Sequence, residues 1–227
     1  MNLRSKCLEE NKRLSSSGLV VLTWGNISIR QDDTIYIKPS GIKYSEMHES
    51  DISLVSLTTG ELIEGKKPSV DLKTHLHLYH HFPHIKSVAH THSKFCTSFA
   101  QAGIPIECIG TTHADYFNGK IPLTSQLSPE QIENDYEGNT GLQITDLFRE
   151  KCISPQATPG VLVRGHGVFS WGKNYEDAFN HAYIMEQIAE MSFYSNTLSN
   201  PVEPLPSYIL NKHYERKHGD KAYYGQR

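Results

Sequence analysis

Cysteine is scarce in this chain and follows no pairing pattern. The four, at positions 7, 96, 108 and 152, make no C-x-x-C spacing, which excludes a disulfide framework and argues against a cysteine-built zinc site. Long hydrophobic runs are missing, since no stretch approaches the roughly 20 apolar residues of a membrane-spanning helix. Residues Met1–Glu10 open as a charged helix, without the apolar core of a signal peptide. Excess charge of either sign is absent as well, with 22 Lys and Arg against 25 Asp and Glu. Neither nucleic acid nor an anionic membrane is therefore expected as a partner. Internal repeats and low-complexity tracts are also lacking. The expectation is a soluble, cytoplasmic protein whose 227 residues form one domain, 1–227, with a full core.

The apolar spacing of Leu3, Cys7 and Leu14 predicts a first helix that ends at Ser15–Gly18. Short strands are expected at Val20–Thr23, Ile27–Ile29 and Ile35–Ile37, with a hairpin turn at Gln31–Thr34. A strand pair spans Ile52–Ile63, broken at Thr58–Gly60. Asp71–Phe82 reads as a helix stopped by Pro83, followed by a strand and a helix over Ser93–Ala102 that Gly103 closes. Ser128-Pro129-Glu130-Gln131 is a capping box with Pro at the first helical position. Gly160–Trp171 reads as two strands around a turn at His166. Asn174 is expected to cap a long helix through Ala178, Ile184, Met185 and Ile188. A linker, Asn200-Pro201 and Pro204–Pro206, leads to a last helix capped by Ser207 and a tail from Lys221. Strands and helices interleave without a regular βαβ period. The class is therefore α/β, with a mixed or antiparallel sheet covered by helices on both sides.

The chemistry starts at His90-Thr91-His92, directly after the strand-like run from Ile85 to Ala89. Alternate side chains of a strand share a face, so His-x-His aims both imidazoles at one point. His166 closes the second run, Gly160–Gly165, and is the third candidate. Three imidazoles from adjacent strand ends can hold a divalent cation and leave a coordination position open, as catalytic zinc requires. His75, His77, His80, His81 and His84 also cluster, but on an amphipathic helix they read as surface or packing residues.

Six motifs follow one another along the chain: Thr23-Trp24-Gly25-Asn26, Lys38-Pro39-Ser40-Gly41, Ser69-Val70-Asp71, His90-Thr91-His92-Ser93, Gly110–Tyr116 and Lys221–Gln226. As an ordered set they resemble the L-ribulose-5-phosphate 4-epimerases of the class II aldolase/adducin superfamily. The resemblance implies a three-layer αβα sandwich around a largely antiparallel sheet, assembled as a homotetramer with intersubunit active sites. It implies one Zn2+ per subunit, with Mn2+ or Co2+ as alternatives. His90, His92 and His166 match the ligands, and Asp71 stands beside the metal as a further ligand or a base. Asp115 and Tyr224 match the acid/base pair. Gly25, Asn26, Lys38, Ser40, Gly41, Ser69 and Val70 fall on substrate and phosphate positions. His213 and Arg216 are expected near the phosphate of a neighbouring subunit, and the tail, 219–227, is expected to close the site. Val70 departs from the pattern, since many members carry a second Ser there.

The implied substrate is a phosphorylated ketopentose. Its C4 carries no activating carbonyl, so direct proton removal is hard. Cleaving C3–C4 leaves an enediolate and glycolaldehyde phosphate, which turns and recondenses on its other face to give D-xylulose 5-phosphate. Each face needs a proton carrier for the C4 oxygen. An aldolase of the same superfamily is the nearest rival, but it carries Glu where this chain has Asp71 and lacks the Asp115 and Tyr224 pair. A non-catalytic scaffold of the adducin kind needs no three histidines, and a zinc-stabilised binding module fits an open three-His set poorly. Arabinose and ascorbate breakdown both remain open as the source of substrate.

Overall fold

In a computed structural model, residues 2–199, 201–220 and 222–224 are described. Met1, Asn200 of the expected linker, and Lys221 and 225–227 of the terminal motif lie outside the described residues.

The elements run α1 (Leu3–Ser16), β1 (Asn26–Gln31), β2 (Thr34–Ile37), β3 (Ser53–Ser56), β4 (Leu62–Glu64), α2 (Leu72–His81), β5 (Ser87–Thr91) and α3 (Lys94–Ala102). The second half adds α4 (Thr111–Ala114), α5 (Pro129–Glu150), β6 (Gly160–Val163), β7 (Gly167–Gly172), α6 (Asp177–Leu198) and α7 (Ser207–His218). The strands form one sheet in the order β4-β3-β2-β1-β5-β7-β6, and each neighbouring pair is antiparallel.

Side-chain alternation along the strands divides the core. Ile35, Ile37, Val88, Phe169 and Trp171 face Leu78 and Tyr79 of α2, Phe82 just after it, and Ile144 and Phe148 of α5. Phe82, Phe148 and Trp171 pack with ring centroids 5.2–5.4 Å apart. Burying each such ring contributes about 1.5–3 kcal/mol. On the opposite face Ile27, Ile29 and Ala89 meet α1 and the start of α6, and Leu162 and Val168 meet α3 and more of α6. The result is the expected αβα sandwich on an antiparallel sheet.

Register sets up the site. Asn26 pairs with His90 across β1 and β5, and His90 with Phe169 across β5 and β7. The start of β1, the end of β5 and the start of β7 therefore meet at one end of the sheet, on the face that α2 and α5 cover.

Three local expectations fail. Val20–Thr23 is not a strand: β1 already has β2 and β5 as neighbours, so no ladder is free. The segment turns instead, with Leu22 at φ 55° and a Trp24 N–H bond to the Val21 carbonyl of 3.0 Å. Asn174 does not cap the long helix, because its N–H and side-chain amide are both donated to the Asp177 carboxylate, and the cap falls at Glu176. Ser207 is the first helical residue of α7, after an extended Pro206.

Candidate active site

His90 lies at the end of β5, buried, with its ring stacked 4.3 Å from that of Phe169. Its Nδ1–H donates to the Val168 carbonyl at 3.0 Å, which fixes the tautomer and leaves Nε2 pointing at Nε2 of His92, 3.0 Å away. The hairpin between β6 and β7 carries in His166, and the three rings stand 4.8–4.9 Å apart. One ring nitrogen from each lies within 4.8 Å of the others.

This donor set fits a divalent cation. Two inward lone pairs at 3.0 Å repel unless a proton or a cation lies between them. Nitrogens on a tetrahedral zinc sit about 3.3 Å apart. Burial, then the charge of His90, hold the His92 imidazole down to about 4 and that of His166 to about 3. Both are therefore neutral at neutral pH, as ligation requires. Gly167 makes the approach possible. A Cβ there would lie 2.6 Å from the Thr91 carbonyl and 3.1 Å and 3.3 Å from the His92 and His90 rings.

A cavity of about 400 Å³ opens above these imidazoles. Its other walls are the Thr23–Asn26 turn and the loops Lys38–Gly41 and Ser69–Asp71, which a bridge between Pro39 and Pro68 holds side by side. Gly25 has φ 78°, and a Cβ on it would stand 2.7 Å from the His90 carbonyl, so only glycine lets this turn cross β5. The Tyr44 hydroxyl secures the turn by donating to the carbonyls of Trp24 and Gly25. The Asn26 amide donates to Ser69 Oγ and to Asp71 Oδ2, at 3.0 Å and 2.7 Å. Its Oδ1 is buried with no protein partner among the described residues. Burial raises the Asp71 carboxyl, but the charges of His90 and His75 and the Asn26 bond outweigh it and hold the group below its ordinary value. Burial lowers the Lys38 ammonium to about 8, against a raising pull from Asp71. Val70, 61% exposed, forms part of the rim.

Several residues at this site escaped the sequence reading. Tyr136 and Glu137 line the cavity because α5 breaks at Asp135, which has the non-helical angles φ −165° and ψ 85°. Glu186 on α6 accepts the N–H groups of Phe95 and Cys96 at 2.8 Å and 3.0 Å. It thus caps α3 just after His92, in place of the Ser93 side chain. An acidic residue inside an apolar helix stripe was the available signal for Glu186, and Asp135 inside a polar helix was the signal for the break.

The remaining predicted residues meet elsewhere. Asp115 ends α4 and receives a two-pronged bond from Arg216 of α7, at 3.0 Å and 2.8 Å, and another from His213 at 3.1 Å. Burial raises its carboxyl, but these bonds prevail and hold it below the ordinary range. Tyr224 folds back so that Arg216 sits 4.4 Å over its ring, and its N–H bonds the Arg216 carbonyl. The ring is half exposed. Asp115, His213, Arg216 and Tyr224 thus form one group, and none of them lines the three-histidine cavity of the same chain. Among the described residues no helix is long and apolar enough to cross a membrane.

Residues 5–193 match the family described as the class II aldolase and adducin N-terminal domain. The chain belongs to this family. It is 43% identical over 228 residues to L-ribulose-5-phosphate 4-epimerase UlaF of Salmonella paratyphi B and of Salmonella typhi, covering 99% of both chains in each case. Among solved structures, an L-fuculose 1-phosphate aldolase superposes with a TM-score of 0.78 at 22% identity, over 94% of each chain. A sugar-phosphate aldolase from Thermotoga maritima gives 0.68 at 20% identity, over 88% of this chain and 99% of its own. These structures share the fold, and the three-histidine cavity lies within the matched segment.

Proposed function

We propose that the chain is a divalent-metal-dependent epimerase. It interconverts L-ribulose 5-phosphate and D-xylulose 5-phosphate by cleaving C3–C4, turning glycolaldehyde phosphate and recondensing it. The observation that carries this reading is the cavity in which His90, His92 and His166 converge beside Asp71. It occurs in a chain 43% identical, end to end, to proteins named for this epimerisation.

Zinc, one ion per subunit, suits three neutral imidazoles, with manganese or cobalt as alternatives. Bound there, the ion supplies stabilisation for the negative charge that develops on the ketose oxygens as C3–C4 breaks. Asp71, steadied by Asn26, faces the same oxygens as a further ligand or a base. The Lys38 ammonium, the hydroxyls of Ser40 and Ser69 and the amides around Gly41 anchor the phosphate, so the aldehyde turns without leaving. Val70 contributes only its backbone to that cradle. Glycine at position 25 keeps the wall thin enough for the sugar to reach the imidazoles.

Asp115 and Tyr224 serve as proton carriers on opposite faces of the aldehyde. Because they lie outside their own chain's cavity, the active site is assembled between subunits of a homotetramer. The described end of the chain, 219–220 and 222–224, closes over a neighbour, and His213 and Arg216 approach its phosphate. The exposed rim at Val21, Leu22, Trp24 and Val70 supplies apolar surface for that contact. A cytoplasmic location follows from the substrate, a charged phosphate ester that does not cross a bilayer unaided.

Metal-loaded protein incubated with L-ribulose 5-phosphate tests the reading when both possible products are assayed. An epimerase yields D-xylulose 5-phosphate without accumulating glycolaldehyde phosphate. Accumulation of the free aldehyde, with no xylulose product, would make the chain an aldolase.

A further inference from the structure

The break in α5 is built rather than incidental. Asp135 takes an extended conformation and its Oδ1 accepts the Gly138 N–H at 3.3 Å, the geometry of an N-cap that starts a second helical segment. The same carboxylate oxygen pairs with Lys73 of α2 at 2.9 Å, two residues beyond Asp71. Thr74 of α2 donates to the Glu137 carbonyl at 2.6 Å, and the Thr140 hydroxyl to that of Tyr136 at 2.8 Å. Both ends of the Tyr136–Glu137 turn are therefore tied down, and α2 holds it against the cavity. The consequence is one contact: the Tyr136 phenol oxygen lies 3.2 Å from Nδ1 of His166, the rings tilted at 5.8 Å.

We propose that Tyr136 is a positioning residue for metal binding: its phenol oxygen accepts the Nδ1–H of His166 and holds the Nε2 lone pair toward the cation. The parallel with His90 supports the assignment. There the Val168 carbonyl takes Nδ1–H at 3.0 Å and leaves Nε2 facing His92. His166 sits in a hairpin turn after Gly165, at φ 70°, where the backbone alone would leave its ring free to rotate. A side chain that fixes the second nitrogen selects one tautomer and one ring orientation, and loss of such partners typically costs 10–100-fold in metal affinity.

This inference rests on the metal reading given above, and one set of measurements separates the two. Tyr136→Phe keeps the ring and deletes the hydroxyl. Zinc affinity of the parent and the variant is measured by chelator competition, alongside the cobalt visible spectrum and the melting temperature of metal-free protein. The expected result is roughly 10–100-fold weaker zinc binding and an altered cobalt spectrum, with metal-free melting unchanged. In a His166→Asn background the same change should weaken binding by less than about twofold, since coupled positions do not add. Equal zinc affinity of parent and Tyr136→Phe overturns the assignment while leaving the metal site intact. A full, additive loss in the His166→Asn background overturns it too, because Tyr136 would then act through another group. A parent that takes up no divalent cation overturns the metal reading itself, and this inference with it.

Discussion

Lys38 sets a pH limit on the proposed reaction. Its ammonium, buried in the cavity wall with Nζ 4.8 Å from the centre of the Tyr44 ring, is lowered by burial to about 8. If it anchors the phosphate, the charged form binds and the neutral form does not. The sign follows: kcat/KM, which reports the free enzyme, should hold below that value and fall as pH rises through about 8. Lys38→Met should raise KM about tenfold or more, the scale of a lost charged hydrogen bond, and abolish this limb of the profile. A pH profile that keeps the limb in Lys38→Met would assign it to another group. At this scale much of the site was legible in the sequence. The two-residue period of a strand predicts that His90 and His92 share a face, and their Nε2 atoms lie 3.0 Å apart. The bonds of Arg216 and His213 to Asp115 were not legible, because about a hundred residues separate the partners and no local pattern records a long-range contact.

Between elements, the same helix shows what local reading captures and what it misses. The capping box at the start of α5 forms as expected, with Ser128 Oγ accepting the Gln131 N–H at 3.2 Å and Gln131 Oε1 accepting that of Ser128 at 2.9 Å. The second cap at Asp135 was harder to read, because its decisive partner, Lys73, lies on α2. Likewise Val20–Thr23 has the composition of a strand and fails to be one, because β1, the strand next to it in the chain, is already paired on both sides. The two caps should differ in a measurable way. Ser128→Ala should lower stability in urea unfolding by about 1 kcal/mol and leave zinc affinity unchanged. Asp135→Ala should cost a similar amount and also weaken zinc binding, since it releases the turn that carries Tyr136. Unchanged zinc affinity in Asp135→Ala would show that the turn holds its place without this cap.

For the whole molecule, Asp115 and Tyr224 lie away from their own chain's cavity, so if they serve the proposed reaction they serve it at a neighbouring subunit's site. A His92→Asn variant and an Asp115→Asn variant should each be inactive. Mixed after subunit exchange, they should recover activity, because some hybrid sites then receive an intact metal centre from one chain and an intact Asp115 from another. No recovery, after exchange has been verified by mass, would mean that each site is completed within one chain by a rearrangement of α7 and the tail.

In the proposed reaction, metal at the three-histidine site lets C4 be inverted by breaking C3–C4 rather than by removing the C4 proton. Turnover of L-ribulose 5-phosphate in D2O, followed at C4 by NMR, tests this most directly. The expected product is D-xylulose 5-phosphate that keeps its original hydrogen at C4, formed by zinc-loaded protein and lost on chelation or in His92→Asn. Deuterium at C4, or undiminished conversion by metal-free protein, would contradict it.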